Sequence, residues 1–212
     1  MDLFADQAHE AMPLAPGACW LPGFALPNMA ALWSCLQHHL SIYPAQQMMT
    51  PMGHLMSVNT SSMGTWGWVS GPQGYGYSAH NPATQQPWPA IPAVILQLAA
   101  NAAEKAGYLK FVPDSCLINI YTPGSKMGLH QDKDEQDFSQ PIVSVSIGLP
   151  ATFLFGGAQR GDKAVRIPLQ HGDVVVWGGE SRRYYHGVAA IRPNQHPLTG
   201  NLRINLTLRK AK

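Results

Sequence analysis

The sequence predicts one α+β domain in which two helices lie against a rolled-up sheet of short strands. Two observations predict this fold class. Apolar residues recur at helical spacing only in the first half of the chain. From Cys116 onward the chain is instead a series of short β-branched and aromatic segments, separated by Pro-Gly, Gly-Gly and His-Gly-Asp turns. Many short strands at this spacing are typical of a sandwich or barrel, and 212 residues fit a single domain spanning residues 1–212.

The predicted helices cover residues 29–40, with Asn28 as the N-cap, and residues 91–105. Lys105 followed by Gly107 is a helix stop signal. The predicted strands cover residues 116–121, 142–149, 151–155, 164–169, 174–177, 184–188 and 203–209. Residues 44–90 are rich in Met, Gly, Ser, Pro and aromatic residues and show little periodicity. A segment of this kind is expected to be a lid or binding loop, or to contain short strands.

Composition favours a packed cytoplasmic protein. Hydrophobic residues make up 45% of the chain and charged residues 12%, which argues against disorder. No membrane span is expected because no apolar run reaches about 18 residues, and the first residues lack the pattern of a secretory signal. Three cysteines without a C-x-x-C spacing fit a reducing compartment and no disulfide framework.

Charge is distributed unevenly along the chain. From residue 158 onward ten Lys and Arg residues stand against three acids, a surplus of +7, whereas residues 1–157 carry −5. Such asymmetry suggests a surface that binds an anion or polyanion, and a solvated basic face is the alternative.

Two His-x-Asp pairs are candidates for a metal site. His171 and Asp173 directly precede a predicted strand, which favours a turn. His130 and Asp132 open an acidic stretch, and on an extended segment their side chains point the same way. With His186 as the third ligand, two histidines and one carboxylate leave open positions, as in non-haem Fe(II) oxygenases. The alternative is a set of surface histidines with no metal.

The last predicted strand alternates polar and apolar residues without exception. Arg, Asn, Thr and Arg at positions 203, 205, 207 and 209 share one face, and Ile, Leu and Leu share the other. If the apolar face packs on helices, the two arginines lie inside the roll, where they need anionic partners. No run of acids elsewhere supplies these partners, so a bound dicarboxylate is expected. An exposed edge strand with solvated arginines is the alternative.

Five contiguous segments resemble the AlkB family of bacterial alkylation-repair dioxygenases. They are DSCLINIYTPGSK at 114–126, LHQDKDE at 129–135, PIVSVS at 141–146, HGDVVVWGGES at 171–181 and R-x-N-x-T-x-R at 203–209. The similarity extends from residues 2–6 to Arg209. The resemblance implies a double-stranded β-helix (jelly roll) backed by helices, with an N-terminal nucleotide-recognition lid at about residues 44–90 and a catalytic β-roll at about residues 115–209.

The resemblance also assigns site residues. The implied iron ligands are His130, Asp132 and His186, which leaves His171 in a turn. The implied 2-oxoglutarate segment and side chains are Asn119, Ile120, Tyr121, Arg203, Asn205 and Arg209. Ile120 departs from the family pattern, and strand alternation is expected to point its side chain away from Asn119 and Tyr121. The implied substrate contacts are Trp68, Tyr75, Gly76, Tyr77, Asp134 and Arg160.

The implied activity is oxidative demethylation of bases of the 1-methyladenine and 3-methylcytosine type, with release of formaldehyde. It requires Fe(II), 2-oxoglutarate and O₂. The expected partner is alkylated single- or double-stranded DNA, with RNA as a further substrate, and the protein is expected to be a monomer. The alternatives are a 2-oxoglutarate-dependent hydroxylase of a protein or small molecule, and a non-catalytic jelly-roll binding module.

Overall fold

A computed structural model describes residues 10–212 of the chain. The segment at residues 2–6, where the family resemblance begins, lies outside the described residues. The helices are α1 (Met29–Ile42) and α2 (Ala93–Lys105). The strands are β1 (Met12–Ala15), β2 (Ala18–Leu21), β3 (Gln46–Met49), β4 (Leu55–Gly64), β5 (Gly67–Gly71), β6 (Gly74–Ser78), β7 (Ser115–Tyr121), β8 (Met127–His130), β9 (Ile142–Gly148), β10 (Ala151–Phe155), β11 (Val165–Leu169), β12 (Val174–Trp177), β13 (His186–Val188) and β14 (Arg203–Arg209).

The strands form two antiparallel sheets and a separate hairpin. The large sheet has the order β1-β2-β12-β9-β14-β7-β4-β3, and the small sheet has the order β11-β10-β13-β8. Phe153 and Phe155 of the small sheet pack against Val175 and Trp177 of the large sheet, so the inner faces of the two sheets enclose a core. Strands β5 and β6 pair with each other as the hairpin. The arrangement confirms the predicted α+β jelly roll.

The large sheet separates two hydrophobic cores. On its outer face, α1 and α2 bury Leu32, Leu36, Ile95 and Leu98 against alternate residues of the central strands. The alternation along β14 decides which side chain enters which core. Its apolar residues, Ile204, Leu206 and Leu208, belong to the helix-side core. Its polar residues are equally buried on the inner face: Arg203, Asn205, Thr207 and Arg209 are between 1% and 6% exposed. The prediction that the arginines lie inside the roll is therefore confirmed.

Both predicted helices form, but their ends differ from the prediction. Asn28 occupies the N-cap position of α1, as predicted, but its side chain makes no capping hydrogen bond, and a 3-10 turn at Leu26–Asn28 leads into the helix. At the end of α2, Gly107 adopts a φ of +89°, as its place in the stop signal requires. No helix in the described part of the chain is long and apolar enough to cross a membrane.

Several strands were missed or misplaced by the sequence pattern. The weakly periodic segment 44–90 contains β3 to β6, which is one of its two expected forms. Strand β8 was not predicted, because Met127–His130 contains a glycine and only four residues. The predicted strand 184–188 is shorter, since a 3-10 turn at Gly179–Arg183 precedes it and the strand begins at His186.

Candidate metal centre and cavity

Two neighbouring strands of the small sheet bring the His-x-Asp pair and the third histidine together. His130 ends β8 and lies opposite His186, which begins β13. Asp132 follows two residues after His130, and one ligand atom from each of the three side chains lies within 4.8 Å of the others. The Asp132 carboxylate is 3.7 Å from Nε2 of both histidines. The structure thus places the three predicted ligands around one point.

Hydrogen bonds at the other ring nitrogen orient both histidines. Nδ1 of His130 lies 2.9 Å from the carbonyl oxygen of Gly128, and Nδ1 of His186 lies 3.0 Å from that of Tyr184. In each case Nδ1–H is the donor and Nε2 is free to face the centre. Burial lowers the pKa of His186 to about 4. The imidazole is therefore neutral at physiological pH, which is the form that binds a metal.

Charge around Asp132 keeps its carboxylate ionised. Burial alone would raise the pKa of Asp132, but the Arg209 guanidinium, His186 and His130 outweigh it and hold the pKa below its usual range. Arg209 donates from Nε at 3.0 Å and from Nη2 at 2.7 Å to the same oxygen, Oδ2. Two imidazole nitrogens and one carboxylate form a donor set that suits non-haem Fe(II). The residues present therefore fit the metal.

The second His-x-Asp pair has a structural role, as predicted. Nδ1 of His171 accepts a hydrogen bond of 3.0 Å from the Gly148 backbone N–H. The buried Asp173 carboxylate accepts hydrogen bonds from the Trp20 indole and from the backbone N–H groups of Gly23 and Gln170. Both residues of the pair are thus occupied in fixing the turn that precedes β12.

A cavity of about 610 Å³ opens beside the three ligands. Arg203 lines its floor at 1% exposure, with its guanidinium carbon 4.9 Å from the centre of the Tyr121 ring. Its Nη2 donates to Ser146 Oγ at 3.3 Å, whereas Nε and Nη1 have no hydrogen-bond partner among residues 10–212. Buried guanidinium donors without partners are costly, and a carboxylate would satisfy them. The cavity therefore fits a dicarboxylate co-substrate.

The expectation that neither arginine has an acidic partner is wrong for Arg209. This side chain pairs with Asp132 and lies 3.5 Å from Glu135. The acidic stretch that was assigned to the metal and the substrate thus also neutralises Arg209. Three of the ten basic residues after position 157, Arg182, Arg203 and Arg209, are buried, so the basic surplus is only in part a surface feature.

The remaining cofactor residues of the prediction lie in β7 and β14 and divide between the two faces of the large sheet. Asn119, Tyr121 and Asn205 line the cavity, and Asn119 donates from Nδ2 to Asn205 Oδ1 at 3.2 Å. Ile120 packs in the helix-side core, as strand alternation predicts. Its side chain therefore does not belong with the cavity residues, and its place in the cofactor set rests on the backbone alone.

The predicted substrate residues surround the cavity mouth, with two exceptions. Trp68 and Tyr75 face each other across the hairpin with ring centres 5.5 Å apart and planes 16° apart, and both line the cavity with Asp134 and Arg160. Partial burial, aided by the neighbouring Glu135 charge, raises the pKa of Asp134. Tyr77 lies opposite Trp68 in the hairpin and donates from Oη to Glu135 at 2.6 Å. Gly76 and Tyr77 are not among the described residues that line the cavity.

Glu135 is the site residue that sequence reasoning missed. Its side chain is 2% exposed, it accepts a hydrogen bond of 2.6 Å from Tyr77 Oη, and its Oε2 lies 3.2 Å from Arg182 Nη2. The acidic run 132–135 was a visible signal, but no pattern in it shows which of its acids is buried.

Comparison with known proteins gives consistent matches. The family model described as the 2OG-Fe(II) oxygenase superfamily matches residues 17–209. The alpha-ketoglutarate-dependent dioxygenase AlkB of Escherichia coli (strain K12) is 51% identical over 211 residues, which cover 100% of this chain and 98% of that protein. The DNA N(6)-methyladenine demethylase ALKBH1D of Arabidopsis thaliana is 44% identical over 110 residues, covering 46% of this chain and 24% of that protein. The solved structure of OsALKBH1 superposes with a TM-score of 0.78 at 31% identity, over 94% of this chain and 99% of that one.

Proposed function

The chain belongs to the 2OG-Fe(II) oxygenase superfamily, and from this premise we propose that it oxidatively demethylates N-alkylated bases in DNA. The proposed lesions are of the 1-methyladenine and 3-methylcytosine type, with alkylated RNA as a further substrate and formaldehyde as the product. The observation that carries the proposal is that the His130–Asp132–His186 set and the aromatic pair Trp68 and Tyr75 line the same cavity.

His130, Asp132 and His186 hold the metal in this proposal. Bound Fe(II), with 2-oxoglutarate and O₂, supplies the oxidation of a carbon–hydrogen bond. The protein supplies the geometry: the backbone carbonyls behind the two histidines fix their ring planes, and Arg209 fixes the orientation of the Asp132 carboxylate.

Arg203 binds the distal carboxylate of 2-oxoglutarate in this proposal. Its free Nε and Nη1 donors are the buried groups in the cavity that a carboxylate would satisfy in a bidentate pair. Arg209 Nη1 is also without a hydrogen-bond partner within the described residues, and it lies in the same strand face as Asn205. We assign Asn119, Tyr121 and Asn205 to the walls of the co-substrate site.

The base enters from the hairpin side in this proposal. Trp68 and Tyr75 offer aromatic faces at the mouth, and a cationic methylated base favours such faces. The Asp134 carboxylate, which also lines the cavity, meets the positive charge or the exocyclic amine. Arg160, whose guanidinium carbon lies 5.9 Å from the centre of the Tyr185 ring, contacts the phosphate backbone without sequence preference. A methyl group on a Watson–Crick nitrogen weakens pairing, which lowers the cost of extruding that base.

The domain organisation follows from the same assignment. We propose that residues 44–90 act as the nucleotide-recognition lid, that residues 115–209 are the catalytic β-roll, and that the protein works as a cytoplasmic monomer. The three free thiols of Cys19, Cys35 and Cys116 support a reducing compartment.

Mass spectrometry of a 1-methyladenine oligonucleotide incubated with Fe(II), ascorbate and 2-oxoglutarate tests the proposal. The expected result is a loss of one methylene mass from the oligonucleotide, with one formaldehyde and one succinate for each repaired base. His130→Ala serves as the control without catalysis. Succinate formation with no change in any methylated oligonucleotide would instead support a hydroxylase of a protein or small molecule. Absence of Fe(II)-dependent succinate would support a binding module.

A further inference from the structure

Arg182 is a buried arginine that the metal chemistry above does not use. It lies at 2% exposure in the 3-10 turn Gly179–Arg183, four residues before the ligand His186. All three of its guanidinium nitrogens point at one segment, residues 132–140, which begins with the ligand Asp132. A basic side chain seldom lies so deep without a specific task.

Each guanidinium nitrogen of Arg182 has its own partner in that segment. Nη1 donates to the carbonyl oxygen of Asp132 at 3.1 Å, and Nε donates to the carbonyl oxygen of Gln140 at 3.0 Å. Nη2 forms an ion pair of 3.2 Å with Glu135, and the guanidinium carbon lies 5.4 Å from the centre of the Phe138 ring. One side chain therefore holds both ends and the middle of the segment.

The segment needs such support because it has little of its own. Residues 131–141 contain neither helix nor strand. Besides Arg182, the Gln131 side chain donates to the Arg183 carbonyl oxygen at 2.6 Å, and the Gln136 N–H donates to the Ala211 carbonyl oxygen at 2.9 Å. Arg209 and Tyr77 contact the side chains of Asp132 and Glu135, not the backbone of the segment. Arg182 is the group that contacts the peptide of the ligand Asp132 itself.

We propose that Arg182 is a positioning residue for the metal centre. Its guanidinium holds the backbone of segment 132–140 so that the Asp132 carboxylate meets the two histidines. The inference rests on the proposed metal site. It adds a geometric link between the turn before His186 and the segment that carries Asp132, so that two of the three ligands are fixed relative to each other.

The direction of the change in metal affinity distinguishes a positioning role of Arg182 from a purely electrostatic one. Removing a positive charge near a cation site relieves Coulomb repulsion and should, by this effect alone, strengthen binding of a divalent cation. Positioning predicts the opposite, since loss of groups that orient metal ligands costs about 10- to 100-fold in metal affinity. Arg182→Gln therefore gives opposite results under the two explanations.

The test is a titration of the metal-free protein with Mn(II), in which the electron paramagnetic resonance signal of the free ion gives the Mn(II) affinity. Arg183→Gln is the matched control, because the adjacent Arg183 is exposed, lies at the same distance from Phe138 and carries the same charge. We expect Arg182→Gln to weaken Mn(II) binding about tenfold or more, and Arg183→Gln to leave it unchanged or slightly tighter. Circular dichroism melts of the metal-free proteins check folding.

Arg182→Lys decides the case if Arg182→Gln does not fold. It keeps the charge opposite Glu135, but one ammonium cannot reproduce the three divergent contacts, so Mn(II) binding should remain weaker than in the wild type. Wild-type affinity in Arg182→Gln, or full recovery in Arg182→Lys, would overturn the inference. Failure of the proposed function shows differently: the wild-type protein would bind Mn(II) normally and release no formaldehyde from a methylated oligonucleotide.

Discussion

Arg203 is 1% exposed, yet two of its guanidinium nitrogens have no protein partner within residues 10–212. If 2-oxoglutarate supplies that partner, Arg203→Ala removes a buried charge-assisted pair and weakens 2-oxoglutarate binding by about 3–5 kcal/mol. Calorimetry on the Mn(II)-loaded protein measures this affinity. Arg166→Ala, which changes an exposed arginine of β11, is the control and should have no effect. Equal losses of affinity for 2-oxoglutarate and for methylated oligonucleotide would contradict the assignment.

Mutations in the two His-x-Asp pairs should have different effects on turnover and Mn(II) binding. His130→Ala removes a ligand and should abolish turnover and Mn(II) binding. His171→Ala should leave Mn(II) affinity intact, because His171 lies in the turn that precedes β12 and contacts Gly148 and His196, not the metal ligands. The expected cost is a stability loss of about 1 kcal/mol for the hydrogen bond, visible in a urea melt. Loss of Mn(II) in both variants would show that the ligand assignment is incorrect.

His39 in α1 should make stability depend on pH. Burial lowers its pKa to about 4, and its Nε2 lies 2.8 Å from Ser61 Oγ. The unfolded chain, with a pKa of about 6.5, then binds the proton more readily than the folded protein. The contribution of His39 to the free energy of unfolding is therefore fully present above about pH 6.5. It is lost, by about 3 kcal/mol, as the pH falls towards 4.

The variant His39→Gln isolates that contribution. It keeps a polar group opposite Ser61 and cannot titrate. Urea melts at intervals between pH 4 and pH 7 should show a flatter pH dependence in the variant than in the wild type, while His186, whose pKa burial also lowers, contributes equally to both. Parallel curves for the two proteins would show that His39 is not buried in the neutral form.

At the scale of elements, two tryptophans, one in the hairpin β5–β6 and one packed against it, have different surroundings. Trp68 is half-buried at the cavity mouth, stacked on Tyr75, which is 49% exposed. Trp88 is 9% exposed and lies so close to Gly67 that a Cβ there would overlap its ring. The first is the one that the proposed function assigns to contact with a base, and the second packs against the hairpin and donates its indole N–H to the Ser78 carbonyl oxygen.

Alanine substitutions at the two tryptophans should have opposite signatures. Trp68→Ala should weaken binding of a methylated single-stranded substrate by about 1–3 kcal/mol. The melting temperature and the substrate-free decarboxylation of 2-oxoglutarate should stay nearly unchanged. Trp88→Ala should lower stability by about 3–5 kcal/mol. Fluorescence anisotropy with labelled oligonucleotide and thermal melts measure the two effects. An early-melting Trp68→Ala protein that also lost decarboxylation would place Trp68 in the core.

Elements with a regular pattern were predictable, and those held by distant contacts were not. The alternation in 203–209 predicted β14 and both of its faces, because period-two patterns report directly which side of a strand is apolar. Strand β8 has no such pattern, and it exists because His130 and Met127 pair with residues of β13 about 60 positions away. Asn28 lies at the predicted N-cap position, but it also ends the 3-10 turn Leu26–Asn28 and its side chain makes no capping hydrogen bond.

The same distinction holds for the site. The metal ligands were accessible from short-range spacing together with the family resemblance. The partners of Arg209 and the task of Arg182 were not, because they depend on contacts between residues 42 to 77 positions apart. Sequence spacing gives no measure of such contacts.

At the scale of the whole molecule, burial divides the three thiols. Burial raises the pKa of Cys19 to about 11 and that of Cys116 to about 12, and Cys116 is fully buried beneath the helices. Cys35 is partly exposed on α1. Because the thiolate is the reactive form, iodoacetamide at pH 8 should alkylate Cys35 first, and the other two only after denaturation. Peptide mass spectrometry over time measures the order, and early modification of Cys116 would contradict the described core.

Strand β14 places one face in the helix-side core and the other in the cavity, and this has a consequence for how its sequence can change. Substitutions at 204, 206 and 208 alter packing under the helices, whereas those at 203, 205, 207 and 209 alter the cavity. In a saturation library, variants at the first set should be lost through low protein abundance, and variants at the second through low activity per molecule. Selection for stability and selection for activity thus act on alternate residues of one seven-residue segment, so that neighbouring codons are under different constraints.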